Sequence, residues 1–186
     1  VRFTDGAGTS IGYTDSVILP VLVTLRDGTR PARLKLRIDY GICADLCVPA
    51  LGEVELSLMP DALSTPNRAR VEEALRRVPQ SAQPGDGVLP GIILVESDAK
   101  ATALRVKVGQ AAGSRDTDLF VEGPKGWYFG QPIVSGGTGG AELDWIVPVE
   151  QTPEDGRLAG LTLTLTAVAG AKATETSIRL DEKGRA

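Results

Sequence analysis

Residues 33–58 read RLKLRIDYGICADLCVPALGEVELSL. Both ends of the stretch alternate. In RLKLRI, Leu34, Leu36 and Ile38 fall on one side and Arg33, Lys35 and Arg37 on the other. That is the period-two pattern of a half-buried antiparallel strand. EVELSL repeats it with Val54, Leu56 and Leu58. Between the two runs stand the only cysteines of the chain, Cys43 and Cys47, with three residues between them.

The same period governs the rest of the sequence. LTLTLT sets Leu161, Leu163 and Leu165 against Thr162, Thr164 and Thr166. Strands are expected over 92–96, 103–108, 118–122, 127–129, 142–149, 161–168 and 176–180, separated by Gly, Pro, Asp and Ser turns. This count and spacing predict a β-sandwich over 92–186. GWYFGQP (126–132) is the aromatic cluster of that region, read as core with one exposed ring or as a docking patch.

One segment has a helical period. Val71, Ala74, Leu75 and Val78 recur at i, i+3, i+4 and i+7, with Ser64 or Thr65 as cap, Pro66 in the first turn and Pro79 as the stop. The arginines of this helix, Arg68, Arg70, Arg76 and Arg77, are expected on its solvated face. A Pro/Gly-rich linker follows, so 63–91 reads as helix and linker. Ahead of it, 1–62 offers strands over 11–13, 17–25, 33–39 and 53–58, fewer than the seven or so of a complete sandwich. The first domain is expected to lack upstream strands, or to pack its strands directly on the second domain as an extra sheet. The fold class is therefore all-β: two tandem immunoglobulin-like sandwiches, the first shortened at its N-terminus, joined by a short helix and linker.

Composition narrows the function. The chain has 186 residues, 42% hydrophobic and 24% charged, with a formal net charge of −4. That is ordinary for a globular protein and unlike a nucleic-acid binder, which needs a basic face. Its apolar runs are strand-length, far short of a membrane span. There is no histidine, so Ser-His-Asp and Cys-His catalysis and histidine metal sites are excluded within this chain. GGTGG (136–140) lacks the spacing of a phosphate loop.

The cysteine pair then carries the chemistry. As a staple it is poor, since so small a loop is worth only about 2 kcal/mol on the chain-entropy model. In a continuous strand the two would sit roughly 13 Å apart, whereas a bridge needs Cα atoms within about 7 Å. The strand must break at ADL (44–46). Two thiolates also suit Cu(I), but zinc would need more ligands than two. The residues leave three readings open: a redox pair, a structural bridge, and a Cu(I) clamp such as a copper-tolerance module would use.

YGICADLCVPA, with Tyr40, Cys43, Ala44, Asp45, Cys47, Val48 and Pro49, resembles the periplasmic N-terminal domain of the DsbD family of thiol:disulfide interchange proteins, and more closely its ScsB-type relatives. IGYTDSVILPVLVTL (11–25) is similar to the strand that leads into the motif. The resemblance covers about residues 2–60. The cysteines are spaced more widely in DsbD, so loop shape and partner choice do not transfer.

The resemblance implies an immunoglobulin-like fold and a protein-disulfide reductase activity without cofactor or resident metal. It implies a periplasmic location, as a soluble monomeric domain of an inner-membrane protein. Reducing equivalents would come from a membrane-embedded or thioredoxin-like donor domain of the same protein. They would pass to thioredoxin-fold partners resembling disulfide isomerases. Cys47 would form the mixed disulfide and Cys43 resolve it. Phe3, in a cap loop formed by RFTDGAG (2–8) with Gly6 and Gly8 as hinges, would shield the sulfurs. Asp39 and Asp45 would hold the thiols quiet by like-charge repulsion or accept a proton, and Tyr40 would pack over the sulfurs.

Overall fold

A computed structural model describes residues 2–5, 8–44, 46–60, 66–114, 116–138, 140–154 and 156–186. Among these residues it is all-β apart from one helix, and the chain divides into two compact units, Val1–Arg76 and Arg77–Ala186.

The first unit holds two antiparallel hairpins. β1 (Arg2–Asp5) pairs with β2 (Gly8–Ile11). β3 (Ala32–Cys43) pairs with β4 (Cys47–Leu58) along their whole length. Both long strands run further than the alternation marked, and they meet at the cysteines. The strand expected over 17–25 does not form: residues 12–31 contain no strand. Pro20 has no N–H to give to a ladder, and strand propensity without a paired neighbour is not enough. Val17, Ile18, Leu19, Val21, Leu22 and Val23 are exposed as a result. The turn that follows is closed by Asp27, whose carboxylate accepts from the N–H and hydroxyl of Thr29 at 2.9 and 2.6 Å.

The helix α1 (Arg68–Arg76) is shorter than its periodicity suggested. Its first turn closes where Val71 N–H donates to Asn67 O at 3.0 Å. Ser64 and Thr65, the expected caps, lie outside the described residues. Ala74 is buried, whereas Val71 and Leu75 stay exposed. Arg68 pairs with Glu72 at 2.7 Å, and Arg76 with Glu73.

The second unit is a sandwich. Its strands are β5 (Gln80–Ser81), β6 (Gly91–Ser97), β7 (Ala103–Gly109), β8 (Thr117–Glu122), β9 (Tyr128–Phe129), β10 (Ile133–Thr138), β11 (Glu142–Gln151), β12 (Thr162–Ala169) and β13 (Lys172–Arg179). One sheet has the order β10-β11-β7-β6, with β9 added to β11; the other has the order β5-β13-β12-β8. Alternation fills the space between them. Val106, Val108, Val147, Leu163, Leu165 and Ala167 are buried, while threonines between the leucines of β12 face outward. Trp127 and Phe129 stack in this core at 6.1 Å between ring centroids, and Tyr128 between them is exposed.

This unit begins at Arg77 rather than at residue 92. Gln80 and Ser81 pair in parallel with Thr174 and Glu175, Ala82 is buried, and Ala82 N–H donates to Glu175 O at 2.9 Å. Thr174 Oγ1 donates to the carbonyl of Pro90 at 2.6 Å. Much of the stretch read as linker is therefore fixed to β13.

Candidate redox site

Cys43 and Cys47 form the last facing pair of the β3–β4 ladder. Their sulfurs are bonded at 2.07 Å and their Cα atoms are 4.0 Å apart. The break required at ADL is thus a hairpin loop, within which Ala44 N–H donates to Leu46 O at 3.3 Å. Both cysteines are exposed.

Strand alternation sorts the hairpin into two faces. Even-numbered residues give an apolar face, where Leu34, Leu36, Ile38, Tyr40 and Ile42 stand opposite Leu56, Val54, Gly52, Ala50 and Val48. Most of these side chains are exposed among the described residues. Odd-numbered residues give a polar face. There Arg33 pairs with Glu55 at 3.8 Å, Lys35 with Glu53 at 3.9 Å and Arg37 with Asp39 at 3.5 Å. Each pair is exposed and contributes little, of the order of 0–1 kcal/mol.

The disulfide belongs to the polar face, but at its uncharged end. Gly41 faces Pro49 one step before it, and neither carries charge. A Cβ on Gly41 would stand 3.9 Å from Cys43 Sγ, so the glycine leaves that flank of the bridge uncovered. Leu46, 76% exposed, crowns the loop.

The other expected site residues are dispersed. Tyr40 lies on the face opposite the sulfurs, its ring over Gly52, where a Cβ would be 3.8 Å from Tyr40 Cε1. Asp39 shares the cysteines' face but is engaged by Arg37. It stands four residues from Cys43, roughly 13 Å along the strand, beyond the physiological screening length of about 8 Å. Phe3 sits in the β1–β2 hairpin, opposite Ser10, with its ring against Gly12; a Cβ there would come within 3.2 Å of Phe3 Cε2. Asp45 and Gly6 lie outside the described residues. Among the described residues no three His, Cys, Asp or Glu side chains gather as a metal site. Gly41 and Leu46 are additions that the sequence reading missed. Cysteine spacing gave their neighbourhood but not their places on the hairpin.

The second unit has a shallow groove of about 370 Å³, lined by residues including Leu94, Arg105, Lys107, Ser135, Asp144 and Ile146. Lys107, in its wall, pairs with Glu142 at 3.3 Å and Asp144 at 3.2 Å.

An exposed disulfide with an open flank is chemically competent. A thiolate attacks one sulfur in line with the S–S bond, and the other sulfur departs as thiolate. Fold and site together define an all-β protein with a solvent-facing disulfide, of the kind suited to thiol–disulfide exchange.

Residues 1–58 match the family described as thiol:disulfide interchange protein DsbD, N-terminal. Residues 77–183 match the family described as domain of unknown function DUF8393. Among solved structures, the N-terminal periplasmic domain of ScsB from Proteus mirabilis is similar, with 18% identity and a TM-score of 0.54 over 76% of this chain and 54% of that one. The chain thus spans about half the length of that relative. No curated protein matches. The chain belongs to the DUF8393 family through its second unit, and its first 58 residues match the N-terminal domain family of DsbD. Among the described residues no helix is long and apolar enough to cross a membrane.

Proposed function

We propose that this chain is a periplasmic exchange module that passes reducing equivalents through the Cys43–Cys47 pair. The observation that carries the reading is the place of the bridge: exposed, at the tip of a long hairpin, beside uncharged and small residues. A thioredoxin-like donor domain of the longer protein reduces the bridge. In the next step Cys47 thiolate attacks a partner's disulfide, forming a mixed disulfide and releasing one partner thiolate. Cys43 thiolate then attacks Cys47 Sγ and releases the second. Two electrons and two protons move to the partner, and the bridge is restored. The partners are thioredoxin-fold proteins of the disulfide-isomerase kind.

Residues 1–62 carry this chemistry, and the second sandwich serves as spacer or docking surface. Asp45, two residues from each cysteine in sequence, is the acid that restrains thiolate formation in this reading.

Two readouts test the proposal. The reduction potential is expected at about −200 to −270 mV, between structural bridges and strong oxidants. With a disulfide-bearing thioredoxin-fold protein, Cys43→Ala accumulates a covalent complex and Cys47→Ala does not. A bridge reduced only after unfolding, or no complex with either variant, overturns the reading.

A further inference from the structure

Pro49 is a member of the cysteine motif that the exchange chemistry leaves unused. An antiparallel ladder alternates two kinds of facing pair. In one, the residues exchange both N–H···O bonds and their Cα atoms stand about 5.5 Å apart; in the other, their polar groups turn outward and the Cα atoms close to about 4.5 Å. Three observations put Cys43 and Cys47 in the second kind. Their Cα atoms are 4.0 Å apart. One step toward the loop, Ala44 N–H donates to Leu46 O, so the even-numbered residues are the ones that turn inward. Two steps down the strand, and hence of the same kind, Gly41 faces Pro49, and a proline has no N–H to give across a ladder.

We infer that Pro49 is a positioning residue that sets the phase of the β3–β4 ladder at the redox pair. If the odd-numbered residues of β4 turned inward, position 49 would owe the ladder a donor that it lacks. That alternative is disfavoured, and Cys47 keeps its side chain in the close kind of pair when the S–S bond is open. The inference rests on the exchange reading, because a permanently closed bridge needs no such guard. It concerns the closing step. Against oxidised glutathione, one protein thiolate displaces a glutathione thiolate and forms a mixed disulfide. The second protein thiolate then displaces the other glutathione, leaving the protein bridge and two molecules of glutathione thiol. Phase determines how readily the second displacement follows the first.

The test equilibrates the whole chain with reduced and oxidised glutathione and quantifies dithiol, mixed disulfide and closed bridge by mass after acid quenching. Wild type is compared with Pro49→Ala and Pro49→Val. Both substitutions restore the N–H, and valine also favours a strand. The ratio of mixed disulfide to closed bridge is expected to rise about two- to fivefold in both, the size of effect a well-fitted proline exerts. A wild-type ratio in Pro49→Val shows that strand preference acts rather than the missing donor, and overturns the inference. A ratio unmoved in both overturns it alone, whereas a wild-type pair that ignores glutathione overturns it together with the exchange reading. Should the variants fold poorly, reduced wild type answers independently. A strong Overhauser contact between the Hα atoms of residues 43 and 47 is the signature of the close pair, and its absence overturns the assignment.

Discussion

Gly41 stands directly opposite Pro49, one polar-face pair below the bridge, and a Cβ on it would lie 3.9 Å from Cys43 Sγ. The contact distance is ordinary, so alanine fits. A branched side chain extends further and screens the flank of the sulfur. Gly41→Val is expected to slow exchange with a protein partner roughly tenfold, equivalent to about 1.4 kcal/mol of barrier. Exchange with dithiothreitol, a smaller attacker, is expected to change less. Stopped-flow rates with the two reductants check this; equal slowing for both removes the steric explanation.

Thr174 ties β13 to the turn before β6 through its bond to the Pro90 carbonyl, with both residues buried. Thr174→Val keeps the shape and deletes the donor, leaving that carbonyl unpaired. The expected loss is about 1–3 kcal/mol. Urea unfolding followed through Trp127 and Trp145 fluorescence measures it, both tryptophans being in the second sandwich. A neutral result would mean that residues 80–90 are held by their backbone pairing alone.

Acid weakens the fold at identifiable turns. Asp98 is held below its ordinary value of 3.8, first by the Thr102 hydroxyl and then by backbone N–H groups of Ala103 and Thr102. Asp86 is lowered by the N–H groups of Gln83 and Val88, and Asp181 chiefly by that of Arg185. A lowered folded value means that the folded state binds fewer protons. These contributions are complete above about 3.8 and are lost as pH falls through the lower folded values. Lys107 has the opposite sense: Asp144 and then Glu142 raise it above 10.5, so its contribution is complete below 10.5 and fades as pH climbs past the raised value. Asp98→Asn is expected to flatten the acid limb of stability against pH and leave the alkaline limb unchanged. Thermal melts between pH 2 and 11 would show it; an unaltered acid limb rules out Asp98 as a contributor.

Alternation made most of the second sandwich legible, because its strands each have one face in the core and one in water. What escaped lacked that contrast. IVSGGT, now β10, is an edge strand whose glycines carry no side-chain pattern and whose register shifts between Val134 and Gly136. QS, now β5, is too short to show a period. In the first unit the error ran both ways. VILPVLV has strand composition and forms none, since pairing is a property of neighbours rather than of composition. GIC and CVPALG belong to strands although apolar residues fall on both faces there. The site suffered from the same shortfall. Ending β3 at Asp39 left Tyr40 free to be placed over the sulfurs. Once the strand extends to Cys43, parity alone puts residues 40 and 43 on opposite faces. The cysteine spacing was informative throughout, because so short a separation admits a bridge only across a turn.

The hairpin also has length. Each strand contributes twelve residues, and at about 3.3 Å per residue the sulfurs lie roughly 36 Å along the ribbon from the Ala32–Leu58 end. The pair is thus carried at the far end of a double strand, beyond eleven other facing pairs. On the exchange reading proposed above, a partner must reach the tip itself, and the range of partners admitted is set by how narrow a crevice the tip can enter.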